Sequence, residues 1–267
     1  MTANGIAPSR LARQAASIGL ALIVPALVVA AWAAVPFFVK VPAYKLPTVM
    51  EIGEQFWVLT SSGKLGWELL VSGSRFIVGL LLGTALALPL GLAIALNRHV
   101  SDVVRPALVF FQAIAGIAWV PMAIIWFGFG QGPVIFVIAN TVFFSTIYNV
   151  VRGVESIPAV LRNAVRSMGG TGIGYFRELI LPGALVQIIV GLRTSMAFGL
   201  RALVGAEMIA GTSGLGFMTI DASQSYGTDT VIVGMLVIAV VWYVLDRAVF
   251  IPLERKTVVR WGLQRFQ

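Results

Sequence analysis

Several predominantly apolar runs of about 20 residues or more, separated by short polar connections, constrain this chain more than any other feature. Each is long enough to cross the hydrocarbon core of a bilayer, where every backbone N–H and C=O must be satisfied within the protein. A transmembrane β-barrel would instead show segments of about ten residues alternating apolar and polar. The runs here are continuous and rich in Leu, Ala, Ile, Val and Gly. Charged residues make up only 11% of the 267 positions, against roughly a quarter in a soluble domain. The expected fold is all-α and polytopic, with about six transmembrane helices. The chain has no cysteine, so neither a disulfide framework nor a thiolate metal site is available.

The apolar periodicity predicts helices at about 16–39, 67–96, 107–128, 133–149, 183–210 and 231–250. A short N-terminal segment, 1–15, precedes this single transmembrane domain of 16–250, and a basic tail, 251–267, follows it. The first helix could also be a signal peptide, since Arg10 and Arg13 precede it and Ala31 and Ala33 imitate a cleavage site. Its apolar stretch continues to Val39, longer than a usual signal core, which favours a retained helix. Thirteen of the nineteen cations fall on one side of this layout, from Arg10 and Arg13 through Arg152, Arg162, Arg166 and Arg177 to the tail. The opposite connection, Gly211 to Thr230, holds Asp221 and Asp229 and no cation. The positive-inside rule then puts both termini in the cytoplasm. It also accounts for the net charge of +8 without nucleic acid, for which no binding motif is present. The tail is expected to meet anionic membrane lipid.

Gly79, Gly83, Ala87, Gly91 and Ala95 recur at every fourth position of the second helix. Such a stripe lets another helix approach closely. Pro89 lies in the same helix and is a candidate kink. Outside it, Pro47 to Gly63 reads as a short amphipathic element or a simple connection.

Enzyme chemistry finds little support. Lys64 follows Gly63, but Leu65 stands where a phosphate-binding loop needs Ser or Thr and Val58 where it needs Gly. No Gly-x-Ser-x-Gly elbow occurs, and the single histidine, His99, lacks partners for acid–base work or metal binding. No catalytic or metal-ligating set is therefore expected. Ionisable side chains at membrane depth are the better lead, because they are costly there. Arg75 either snorkels outward or pairs with Glu68. Arg193, Arg201 and Glu207 share the fifth predicted helix, and Gln112, Asn140 and Ser145 are polar partners on the third and fourth. These six residues are the candidates for a substrate pathway, although the uncharged three could equally be interhelical glue. Glu207 is a candidate ion-pair partner for Arg201 of a second copy.

The connection 150–182 is the least membrane-like part of the chain and reads as a helix, a Gly break and a second helix. Within it, Asn163-Ala164-Val165, three residues, Gly169, nine residues, Leu179, one residue and Leu181-Pro182 resembles the coupling-loop signature of ABC importer permeases. That signature is Glu-Ala-Ala, three residues, Gly, nine residues, Ile, one residue, Leu-Pro. The spacing matches throughout, with Asn163, Val165 and Leu179 as departures. Gly169-Gly170 also permits the turn on physical grounds alone. Leu46-Pro47-Thr48, Ser72 to Gly83, Pro121 to Gly128, Gly191-Leu192-Arg193, Ala206-Glu207 and Gly214 to Phe217 are similar to the taurine, aliphatic sulfonate, nitrate and bicarbonate permease group.

The resemblance implies a type I importer fold in a bacterial inner membrane. It also implies a second permease copy, an external substrate-binding protein and cytoplasmic ATPases that carry the ATP and Mg, with no cofactor on this chain. The solute would be a sulfonate, a nitrate-like ion or another organic anion, although the group also includes permeases for uncharged heterocycles. A secondary transporter or channel is the alternative, against which stands the lack of a convincing internal repeat.

Overall fold

The structure is a computed structural model that describes residues 45–250, with positions 23, 27, 29–34, 42 and 252. Most of the first predicted helix, the segment 1–15 and nearly all of the tail lie outside the described residues. Among the described residues all regular structure is helical.

Helix α1 (Val49–Ser61) starts on a capping box. Thr48 accepts from the Glu51 N–H, and the Glu51 carboxylate accepts from the Thr48 N–H at 2.7 Å, satisfying two donors that a helix start leaves open. Gln55 donates to Thr230 Oγ1 at 2.8 Å, which ties α1 to the last helix. Helix α2 (Lys64–Leu96) runs unbroken through Pro89.

The stretch expected as one helix over 107–128 is instead a broken pair bent by 87°. Helix α3 (Arg98–Gln112) stops, Ala115 turns extended, a 3₁₀ turn follows at Gly116–Trp119, and α4 (Val120–Phe127) resumes with Pro121 in its first turn. Proline has no N–H to continue an incoming ladder. A Cβ on Gly116 would sit 2.1 Å from Thr141 Oγ1, so the break is also where this segment touches the next helix.

That helix, α5 (Gln131–Glu155), is the centre of the bundle. On one side it packs into the small-residue stripe of α2. Added Cβ atoms at Gly79, Gly83 and Gly91 would lie 2.7, 2.6 and 3.0 Å from Ile138, the Ala139 carbonyl oxygen and Val150. On its other side lies α8, where Gly191 and Gly199 press against Asn149 and Val142. Val134, Val137, Ile138 and Val142 are fully buried between them with Leu203 and Ala206.

After α5 come the short α6 (Ala159–Ser167), the Gly169-Gly170 turn, and α7 (Gly172–Tyr175). The second helix of the connection and the helix expected from about 183 are not separate elements. A π-helical turn, Phe176–Ile180, carries α7 directly into α8 (Leu181–Ala210), making one helix of 39 residues. In a regular α-helix the Pro182 ring would clash with the carbonyl four residues earlier; the wider turn supplies the room.

The connection expected as an external loop, 211–230, contains a helix, α9 (Leu215–Gln224). The chain ends its described part in α10 (Thr228–Leu245) and a second π-helical turn, Asp246–Phe250. Among the described residues four helices are long and apolar enough to cross a membrane, and five if the bent pair counts as one.

Candidate functional site

The α5–α8 contact sets the register of the site. Gly191 lies against Asn149, Ser195 Oγ is 2.9 Å from Ser145 Oγ, and Gly199 lies against Val142. Next to this seam, an open-sided cavity of about 450 Å³ is lined by Gln112, Asn140, Thr141, Ser145, Tyr148, Asn149, Thr194 and Phe198. Three of the expected pathway residues, Gln112, Asn140 and Ser145, therefore meet in one place. Their helices deliver them for a simple reason: the bend after Gln112 turns α3 against α5, while Thr141, Ser145, Tyr148 and Arg152 follow one another at intervals of four, three and four on a single face of α5.

Part of the cavity's polarity is already used internally. Thr141 Oγ1 donates to the Val137 carbonyl at 2.8 Å and Asn149 Nδ2 to the Ser145 carbonyl at 2.7 Å. The carboxamides of Gln112 and Asn140 make no hydrogen bond among the described residues, so both donors and acceptors are available to a solute. Arg201 lies outside the cavity wall, about one turn farther along α8 than the wall residue Phe198. It is exposed, its guanidinium lies 5.7 Å from the Phe198 ring centroid, and it has no carboxylate partner among the described residues.

The other two candidates are committed elsewhere. Arg193 grips Asp246 through Nε to Oδ1 at 2.6 Å and Nη2 to Oδ2 at 2.7 Å. Such a fork-to-fork pair fixes the side chain and ties α8 to the turn after α10. Glu207 is fully buried and cannot reach a second copy. Its partner is Arg75 at 3.0 Å, not Arg201, and Arg75 pairs with Glu207 rather than with Glu68.

Ser72 Oγ lies 2.8 Å from both Glu207 carboxylate oxygens, and the Gly216 N–H donates to Oε2 at 3.0 Å. Arg75 also donates to the Ser213 carbonyl at 2.6 Å and to Ser213 Oγ at 2.9 Å, while Glu68 accepts from the Gly214 N–H. The set is a clamp on the turn into α9. Gly214 is required there: its φ is +107°, and a Cβ would lie 2.2 Å from Glu207 Oε1. Sequence reasoning missed Ser72, Ser213 and Asp246, because nothing local links them to residues more than 50 positions away. Tyr148 and Asn149 were legible in principle from their helical spacing to Ser145, whereas Thr194, on α8, was not.

The segment 159–182 presents its signature residues in two groups. Asn163, Ala164 and Gly169 are exposed, and Gly169 turns with φ +81°. The Gly170 N–H donates to the Val165 carbonyl at 2.9 Å, closing the turn after α6. Leu179 is buried against Val150 and Val154, while Leu181 and Pro182 open α8. The turn is anchored to the bundle and its outer face is unpartnered among the described residues.

Comparison with known proteins agrees with this architecture. The family model described as "Binding-protein-dependent transport system inner membrane component" matches residues 79–253. The chain is 32% identical over 208 residues to the taurine transport system permease protein TauC of Escherichia coli, covering 75% of each chain. It is 31% identical over 186 residues to the bicarbonate transport system permease protein CmpB of Synechococcus elongatus, covering 69% of this chain and 67% of the relative. Among solved structures, a chain of the MetNI methionine ABC transporter in inward-facing conformations aligns with a TM-score of 0.64. That alignment has 18% identity and covers 75% of this chain and 96% of the other, which establishes the fold. The chain belongs to the binding-protein-dependent transport system inner membrane component family and is a permease subunit of an ABC importer.

Proposed function

We propose that this permease carries a small organic anion, of the sulfonate kind, from an external binding protein to the cytoplasm along the α5–α8 face. It works as a pair of identical copies in a bacterial inner membrane. Two cytoplasmic ATPases, which hold the ATP and Mg, dock on α6 and the Gly169 turn. Both termini face the cytoplasm, and the basic tail lies against anionic lipid.

The observation that carries the reading is the exposed polar face of two adjacent membrane-spanning helices. Lipid cannot satisfy the carboxamides of Asn140 on α5 and Gln112 on the adjoining α3, so that face must meet water, solute or another copy. Arg201, stacked on Phe198, supplies a guanidinium able to take two oxygens of a sulfonate or carboxylate at once. The named solutes of TauC and CmpB, taurine and bicarbonate, both carry an anionic oxygen group.

Uptake of a radiolabelled alkanesulfonate into vesicles holding permease, ATPase and binding protein tests this. Arg201→Gln should leave assembly intact and slow uptake about ten- to hundredfold at low solute, since a charged hydrogen bond is worth about 1.5–3 kcal/mol. Uptake of an uncharged heterocycle but of no anion would overturn the solute class.

A further inference from the structure

On the α6 side, the central cavity meets a second one of about 240 Å³, with Gln112, Phe144 and Tyr148 in the walls of both. The second cavity has an apolar flank and a charged mouth made by Arg105, Arg152 and Glu155. Arg105 Nη2 is hydrogen-bonded to Glu155 across α3 and α5, which cancels that pair of charges. Arg152 lies 4.8 Å from the Tyr148 ring centroid and has no carboxylate partner among the described residues. The mouth therefore keeps one uncompensated positive charge.

We propose that Arg152, stacked on Tyr148, is an anion-binding release station at the α6 end of the pathway. Tyr148 forms the wall shared by this station and the central cavity together with Gln112 and Phe144. The inference rests on the reading of the α5–α8 face as the path of an anion.

The register supports it. Gly199 sits against Val142 and Ile138, which puts Arg201 near the level of Ile138. Arg152 is fourteen residues farther along α5, about 20 Å at 1.5 Å per residue. Arg152, in the wall of the second cavity, and Arg201, one turn past the wall residue Phe198, thus lie beyond opposite ends of the stretch lined by Gln112, Asn140 and Ser145. Two separated sites of moderate strength let an ion enter and also leave, where one deep charged site would trap it.

The absence of cysteine makes a direct test possible. Ser145→Cys lies seven residues from Arg152 on the same face of α5, about 10 Å away, and Thr194→Cys gives a second reporter on α8. The assembled transporter, in vesicles exposing the α6 side, is treated with and without ATP. The reagents are the anionic 2-sulfonatoethyl and the cationic 2-trimethylammonioethyl methanethiosulfonates. Arg152→Gln should slow the anion and speed the cation about fourfold each, lowering the anion-to-cation rate ratio about sixteenfold, the effect of one charge about 10 Å away at an effective dielectric of about 40. Glu155→Gln should raise the ratio, and high salt should shrink both effects. Failure of both cysteines to react, or a ratio that Arg152→Gln leaves unchanged, as expected if this guanidinium only serves the lipid surface, overturns the proposal. The readout needs no transported solute. A ratio that depends on Arg152 together with absent sulfonate uptake would therefore sink the sulfonate reading and leave the station standing.

Discussion

Arg75 is 1% exposed and Glu207 fully buried, so neither charge has water to fall back on. Glu207→Ala would leave the guanidinium with only Ser213 to satisfy it, and stranding one member of a buried pair costs about 3–5 kcal/mol. Thermal unfolding of the purified complex should show a clear drop for Glu207→Ala. The double replacement Arg75→Met with Glu207→Leu should recover much of it, because an apolar pair removes both desolvation costs. Equal losses in the single and double variants would mean that the shape of the clamp, not its charge balance, holds the turn into α9. Arg193 and Asp246 belong to the same scale: two side chains 53 positions apart whose pairing no local pattern announces.

At the scale of elements, α5 is held between two helices that each offer glycine where it passes. A Cβ at Gly83 would come within 2.6 Å of the Ala139 carbonyl oxygen, a backbone atom that cannot rotate away. Gly83→Val should push α2 and α5 apart and cost at least the 1–3 kcal/mol typical of overpacking, read as reduced assembly in detergent. Gly73→Ala is the control, since its Cβ would meet nothing within 4 Å; comparable damage there would argue against the packing account. The short α6 obeys a different rule. Ala164 is exposed, so Ala164→Asp should leave the permease folded while ATPase co-purification and transport fall together, a buried unpaired charge at the joint being strongly unfavourable. Wild-type levels of both would remove α6 from the docking surface.

For the whole molecule, the proposed orientation has α9 outside and the termini inside, and its support is the charge asymmetry of the sequence. A cysteine at Ser223, exposed on α9, should react with an impermeant thiol reagent in intact cells, and one at Gln264 should not. The opposite labelling pattern would invert the assembly and move the proposed release station to the outer face.

Local chemistry by itself determined that the chain is helical and membrane-spanning, because continuous apolar runs can satisfy their backbones in lipid in no other way. The four-residue recurrence from Gly79 to Gly91 likewise announced a close helix contact, since side chains four apart share a face. What the sequence could not contain was the identity of the partner surfaces. Arg193, Arg201 and Glu207 look equivalent on one predicted helix, yet they meet Asp246, the Phe198 ring and Arg75. Their fates depend on which helix lies opposite each face. The same holds for the 87° bend after Gln112: Gly116 and Pro121 permit it, but contact with Thr141 on α5 decides where the two halves go. Long-range packing, which sets what each buried charge can reach, separated the pathway candidates from the residues that hold the bundle together.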